Sequence, residues 1–204
     1  MTSDFRHIAI FASGAGSNAK RIIEHFKFHT SIKVSLIVSN KQDAGVLKHA
    51  SDYGVPTLII EKERFFSGDG YVPQLFAASI DFIVLAGFLW KIPLSIIKAF
   101  PNKIINIHPA LLPNYGGKGM FGTHVHTAVI DAGETTSGIS IHYVDEHYDN
   151  GDIIFQAYCD INENDNPLTL ADKIHQLEHQ YYPAVVETCV RRLGSKIKLA
   201  VNQL

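Results

Sequence analysis

Cysteine is almost missing from this 204-residue chain. Only Cys159 and Cys189 occur, far apart and in no Cys-x-x-Cys pair, which leaves no basis for a disulfide framework and fits a reducing cytoplasm. No apolar stretch reaches 18 residues, so no membrane span is expected. The apolar residues from Ile8 to Ala12 are too few, and too soon followed by glycines, to serve as a secretory signal core. An excess of one charge is also lacking: 18 basic residues stand against 20 acidic ones, a formal net charge of −2 with no basic run. A nucleic-acid backbone therefore finds no electrostatic footprint here. These absences lead to the expectation of a soluble, cytosolic domain.

What is present is ordinary globular material, 46% hydrophobic and 19% charged, in a length that predicts one domain over residues 1–204. Strand candidates at His7–Ala12, Val34–Val38, Thr57–Ile60, Phe82–Ala86 and Ile104–Ile107 alternate with helix candidates at Asn18–Lys27, Ala44–Tyr53, Tyr71–Ser79 and Pro93–Ala99. Glu61–Gly70, between them, reads as loop with a short turn of helix. Alternation at this spacing predicts an α/β fold with a doubly wound, mostly parallel sheet and flanking helices. The glycine-rich run from Pro113 to Gly122 is a loop and Thr123–Ala132 a helix. Gly138–Val144 and Ile153–Cys159 then form a C-terminal hairpin. A long helix from Pro167 to about Leu193 closes the pattern, and Pro183 should kink it or break it in two.

The stretch Ile104-Ile105-Asn106-Ile107-His108-Pro109 concentrates the chemistry. Its β-branched run reads as a buried parallel strand, and Asn106 and His108, two apart, leave the same face. Pro109 ends the strand, so His108 stands at its carboxyl edge, where ligands bind in open α/β sheets. A carboxamide donor beside an imidazole suits a tetrahedral, oxyanion-bearing intermediate. A core asparagine and a loop histidine would carry the same spacing.

Strand, then Gly14-x-Gly16-x-x-Ala19, then helix satisfies a relaxed dinucleotide fingerprint. The acidic residue that would hold a ribose hydroxyl at the end of the second strand is missing, since Ser39-Asn40-Lys41 stands there, and this argues against an NAD-dependent dehydrogenase. Free amides at a helix N-terminus still favour an anion, with Ser17 and Asn18 as side-chain donors or caps. A monophosphate site is the preferred reading over a plain tight turn.

A carboxylate near His108 would favour its charged form and orient the ring. Asp145, Glu146, Asp149 and Asp152 all compete on spacing, and the Asn150-Gly151 turn after Asp149 can aim that residue back at the strand edge. The eleven histidines raise the question of a metal, yet no His-Glu-x-x-His spacing exists. His124 and His126 are two apart at a helix start and point away from each other, so no metal is expected.

Together, the Gly-x-Gly-Ser-Asn loop at 14–18, Ala86-Gly87-Phe88, Asn106-Ile107-His108-Pro109 with Leu111-Leu112-Pro113, and Gly138-x-Ser140 through Asp149-x-Gly151 resemble the folate-dependent phosphoribosylglycinamide formyltransferases. The likeness runs to about Val190. It implies a Rossmann-like formyltransferase fold with a phosphate-binding half at about 1–100 and a folate-binding, catalytic half at about 101–193. It also implies formyl transfer from 10-formyltetrahydrofolate, as co-substrate, to the amine of 5′-phosphoribosylglycinamide in purine biosynthesis. By the same resemblance His108 is the proton donor, Asn106 the oxyanion amide and Asp149 the histidine-orienting carboxylate. Gly16, Ser17 and Asn18 would take the substrate phosphate, Glu178 the ribose hydroxyls, and His126, across one inserted gap, a place near the substrate. Leu89, Trp90, Lys91, Ile92, Val144 and Asn106 would line the folate pocket, with Arg64 at the folate tail. No metal, nucleic acid or membrane is implied, and the protein is expected as a monomer or homodimer. Departures from the family pattern are Trp90 in place of a common arginine, His175 in place of a usual glutamine, and a longer loop from Tyr115 to Gly122. A methionyl-tRNA formyltransferase would need a further RNA-binding domain. A formyltetrahydrofolate hydrolase would need a regulatory domain before the glycine loop.

Overall fold

A computed structural model describes residues 5–193; residues 1–4 and 194–204, the ends of the expected domain, lie outside the described residues. The strands are β1 (Arg6–Phe11), β2 (Ile32–Ser39), β3 (Thr57–Ile59), β4 (Phe82–Leu85), β5 (Ile104–His108), β6 (Thr136–Tyr143) and β7 (Ile153–Asp160). The helices are α1 (Ser17–Phe26), α2 (Val46–Asp52), α3 (Lys62–Phe65), α4 (Val72–Ala77), α5 (Leu94–Ala99), α6 (Thr123–Asp131) and α7 (Pro167–Arg191).

The strands form one sheet in the order β3-β2-β1-β4-β5-β6-β7. β1 to β5 pair in parallel, whereas β6 runs antiparallel to β5 and β7 antiparallel to β6. The predicted mostly parallel sheet with its terminal hairpin is what forms. Alternation along β1 divides the core. Ile8 and Ile10 face the layer of α1, α2, α6 and α7, and Ala9 and Phe11 face the layer of α3, α4 and α5. All four are buried, so the central strand is covered on both faces, as a parallel strand must be.

The predicted break at Pro183 does not occur, for α7 runs unbroken through it. Proline removes one backbone bond, but Tyr182 and Pro183 are both buried and the Tyr182 hydroxyl donates to the Leu85 carbonyl at 2.8 Å. Packing on the sheet holds the helix together where its local chemistry would part it. At its other end Asn166 caps the helix reciprocally with Thr169.

Candidate active site

The sheet order places a topological switch between β1 and β4, whose crossovers leave to opposite sides and open a crevice at their carboxyl ends. Gly16 enters α1 at φ +79°, and a Cβ there would lie 2.6 Å from that of Val46, so glycine alone lets the turn pack on α2. The first amides of α1, at Ser17 and Asn18, have no carbonyl of their own helix to meet. Ser13 ties the turn to the next wall: its N–H donates to Gly87 O at 3.0 Å and its Oγ accepts from Leu89 N at 2.9 Å. Between these walls, the end of β5, α6, α7 and the loop after β6 lies a cleft of about 700 Å³.

At the β5–β6 corner of the cleft, the two strands pair Asn106 with His142 and His108 with Ser140. Asp149, at φ +48°, turns back over this edge. The turn closes only because residue 151 is glycine, since a Cβ there would sit 2.0 Å from the Tyr143 carbonyl oxygen. Asp149 Oδ2 accepts from the Gly117 amide at 2.9 Å and lies 3.5 Å from His108 Nδ1. Its Oδ1 accepts from Asn106 Nδ2 at 3.3 Å and lies 3.6 Å from His142 Nε2. His142 Nδ1 is 2.8 Å from the Tyr143 carbonyl, and its Nε2 is 3.2 Å from Asn106 Nδ2. Both bonds from Asn106 are long, and a better acceptor in the cleft can replace either.

His108 is 2% exposed, and its Nε2 donates to the Tyr115 carbonyl at 2.8 Å. Both ring nitrogens thus face oxygen acceptors, which would suit an imidazolium. Burial nonetheless outweighs the Asp149 charge and the Tyr115 bond, and the His108 pKa lies below its ordinary value. Burial thus works against the charged form that a carboxylate beside His108 was expected to favour. Burial also opposes ionisation of Asp149, but the His142 and His108 rings and the Gly117 amide hold its carboxyl below the usual range. Ser140 Oγ donates to Ala110 O at 2.7 Å and accepts from Leu112 N and Gln156 Nε2, each at 2.8 Å, clamping the loop that follows His108.

At the other end of the cleft, Asn18 Nδ2 donates to Glu178 Oε2 at 2.8 Å, both residues being buried, and burial raises the Glu178 pKa. His126, 3% exposed, has an unpartnered Nδ1. Burial first, then neighbouring His175 and His108, lower its pKa to about 4. Asn18 Oδ1 is likewise buried without a partner, so this end offers polar atoms that a ligand can satisfy.

The cleft brings together His108, Asn106 and Asp149 with Gly16, Ser17, Asn18, Glu178, His126, Leu89, Trp90, Lys91, Ile92 and Val144. Arg64 is not brought in; its guanidinium lies 4.4 Å over the Tyr71 ring, drawn there by the aromatic face. Sequence reasoning missed His142 as a neighbour of Asn106. The period-2 pattern of Ser140 and His142 was its only trace, and the β5–β6 register its cause. Among the described residues no group of three or more histidines, cysteines and carboxylates could hold a metal ion.

The family model described as formyl transferase matches residues 6–186. The chain belongs to the formyl transferase family. Within that family it is 34% identical over 187 residues to the phosphoribosylglycinamide formyltransferase of Bacillus subtilis, covering 89% of this chain and 93% of that one. The chloroplastic phosphoribosylglycinamide formyltransferase of Arabidopsis thaliana is 41% identical over 187 residues, 89% of this chain, but the chain spans only 64% of that relative's length. The crystal structure of phosphoribosylglycinamide formyltransferase from Bacillus halodurans shares the formyl transferase fold, with a TM-score of 0.82 and 35% identity over 97% of this chain and all of that one.

Proposed function

We propose that this chain transfers the formyl group of 10-formyltetrahydrofolate to the amine of 5′-phosphoribosylglycinamide, a step of purine biosynthesis, in a single catalytic domain and in the cytoplasm. The observation that carries the reading is the meeting of Asn106, His108 and Asp149 in one cleft with a glycine turn opening α1. The chemistry follows from those groups. The amine's lone pair attacks the formyl carbon, a carbon–nitrogen bond forms, and negative charge gathers on the formyl oxygen. Asn106 exchanges one long bond for a short one to that oxygen. His108, whose pKa burial has lowered, regains a proton most readily when an anion appears beside it, so its charge stabilises the intermediate more than the substrate. Asp149 sets the ring and balances the charge. As the bond to the folate nitrogen breaks, that nitrogen gains one proton and the attacking amine loses one, by way of His108 or a water held by Asp149. The amides of Gly16, Ser17 and Asn18 receive the substrate phosphate, and Glu178 and His126 the sugar and its linkage.

Difference absorbance of folate deformylation, run with and without glycinamide ribonucleotide, tests this. Activity is expected only with the nucleotide. Equal activity without it would overturn the transferase reading in favour of a formyltetrahydrofolate hydrolase.

A further inference from the structure

An aromatic ladder climbs from the core to the mouth of the cleft and takes no part in the chemistry above. Phe11 meets Phe88 at 5.3 Å between ring centroids, Phe88 meets Phe65 at 5.8 Å, and Trp90 is held by Phe65 at 5.6 Å, Phe66 at 5.8 Å and Phe88 at 6.3 Å. Phe65 is fully buried while Phe66 is 47% exposed, so the ladder ends at the surface. Trp90 stands at this upper end, half-buried, and lines the cleft. Opposite in chemistry, Lys91 Nζ sits 5.7 Å over the ring of Tyr148, another aromatic of the lining. No arginine lines the cleft among the described residues, and Arg64 is spent on Tyr71.

The proposed formyl donor carries its formyl group on a nitrogen bonded directly to a benzoyl ring. With the formyl carbon at Asn106 and His108, that flat ring has to leave along an adjoining wall. We propose that the indole of Trp90, fixed by Phe65, Phe66 and Phe88, is the face on which the p-aminobenzoyl ring of the folate stacks, so that this part of the donor is recognised by ring contact rather than by a guanidinium. The inference rests on the transferase reading. An indole already immobilised by three rings loses little freedom when the ligand arrives, so the stacking energy goes into binding.

Trp90 is the only tryptophan, which makes the contact directly readable. Adding p-aminobenzoylglutamate to the whole protein should quench its emission to saturation, with a Kd that 0.5 M NaCl shifts by no more than about twofold, as ring contact rather than charge requires. In steady-state assays with glycinamide ribonucleotide saturating, Trp90→Leu should raise the KM for 10-formyltetrahydrofolate roughly five- to tenfold, the change falling on KM rather than kcat. Trp90→Phe, which keeps a ring and guards against a folding defect in the leucine variant, should recover most of that loss. A leucine variant with wild-type KM, or one whose loss phenylalanine does not recover, overturns the stacking role. Saturable quenching in a wild-type protein that transfers no formyl group overturns the reaction and leaves the ring site standing.

Discussion

Two of the places where the described residues set imidazole beside carboxylate behave differently, one at the surface and one in the cleft. Between α1 and α7, His25 Nε2 is 2.7 Å from Glu187 Oε2, Arg191 Nε is 2.7 Å from Oε1, and His29 stands at 3.5 Å. Hydrogen bonding to His25 and then Arg191 lowers the Glu187 pKa to about 2. In the cleft, Asp149 stands 3.5 Å from His108 and 3.6 Å from His142, and the His108 pKa falls because burial outweighs the charge beside it. The surface cluster is tight, and its product is attachment of one helix to another. The buried cluster is loose, and its groups keep hydrogen-bonding capacity for a ligand. A carboxylate near a histidine has no fixed meaning until the burial of both is known.

The sharpest way to break this contrast is to neutralise both acids. Asp149→Asn should fold normally and lose about a hundredfold to a thousandfold in kcat, the loss typical of one removed transition-state partner. Wild-type turnover would remove Asp149 from the mechanism. The pH profile adds a sign. The Asp149 charge raises the His108 pKa against burial, so its removal lowers that pKa further. If imidazolium is the working form, kcat/KM falls as pH rises, and the midpoint of that fall moves to lower pH in the variant. A midpoint unmoved or shifted upward would show that the two residues are not coupled.

A second buried histidine, with no carboxylate among the causes of its shift, tests burial next. The folded His126 pKa of about 4 lies below the ordinary histidine value, so the unfolded chain takes up this proton first. Its contribution is complete above about pH 6.5 and declines as pH falls towards 4, by up to about 3 kcal/mol. Thermal melts of the wild type should drop across that window, and those of His126→Asn should drop less. Parallel curves would refute the assignment. Next in size is Ser140→Ala. It strips partners from the Leu112 amide and Ala110 carbonyl, both buried contacts, and should cost about 1–3 kcal/mol by denaturant titration. A cost near zero would mean that the loop after His108 is held elsewhere.

How much of this was legible in the residue string divides along the same line. Local rules reached whatever depends on neighbours in sequence. Asn106 and His108 two apart on a strand ended by Pro109 gave the corner, and the Asn150-Gly151 turn singled out Asp149. Long-range register lay beyond such rules. Only β5–β6 pairing opposes His142 to Asn106 and Ser140 to His108, and only the packed sheet buries His108 enough to reverse the expected direction of its pKa. The expected break at Pro183 failed in the same way: a correct local rule gave way to the burial of Tyr182 and its bond to Leu85. Arg64 was carried by family likeness, and the Tyr71 ring that takes it is seven residues on.

The smallest effect belongs to the surface cluster, and its smallness is the point. Glu187→Gln removes a carboxylate with short contacts to His25 and Arg191, yet the side chain stays 24% exposed and solvent screens the charges. Exposed pairs of this kind contribute about 0.2–1 kcal/mol, so the variant should lose less than about 1 kcal/mol near neutral pH. The pKa lowered to about 2 sets the sign: the contribution is present above the ordinary glutamate value near 4.5 and fades as pH falls towards 2. Denaturation curves of wild type and variant should therefore converge on acidification, and added salt should narrow the gap at neutral pH. A loss of several kcal/mol that salt leaves intact would place this cluster with the buried one, and the contrast between a tight surface pair and a loose buried one would not survive it.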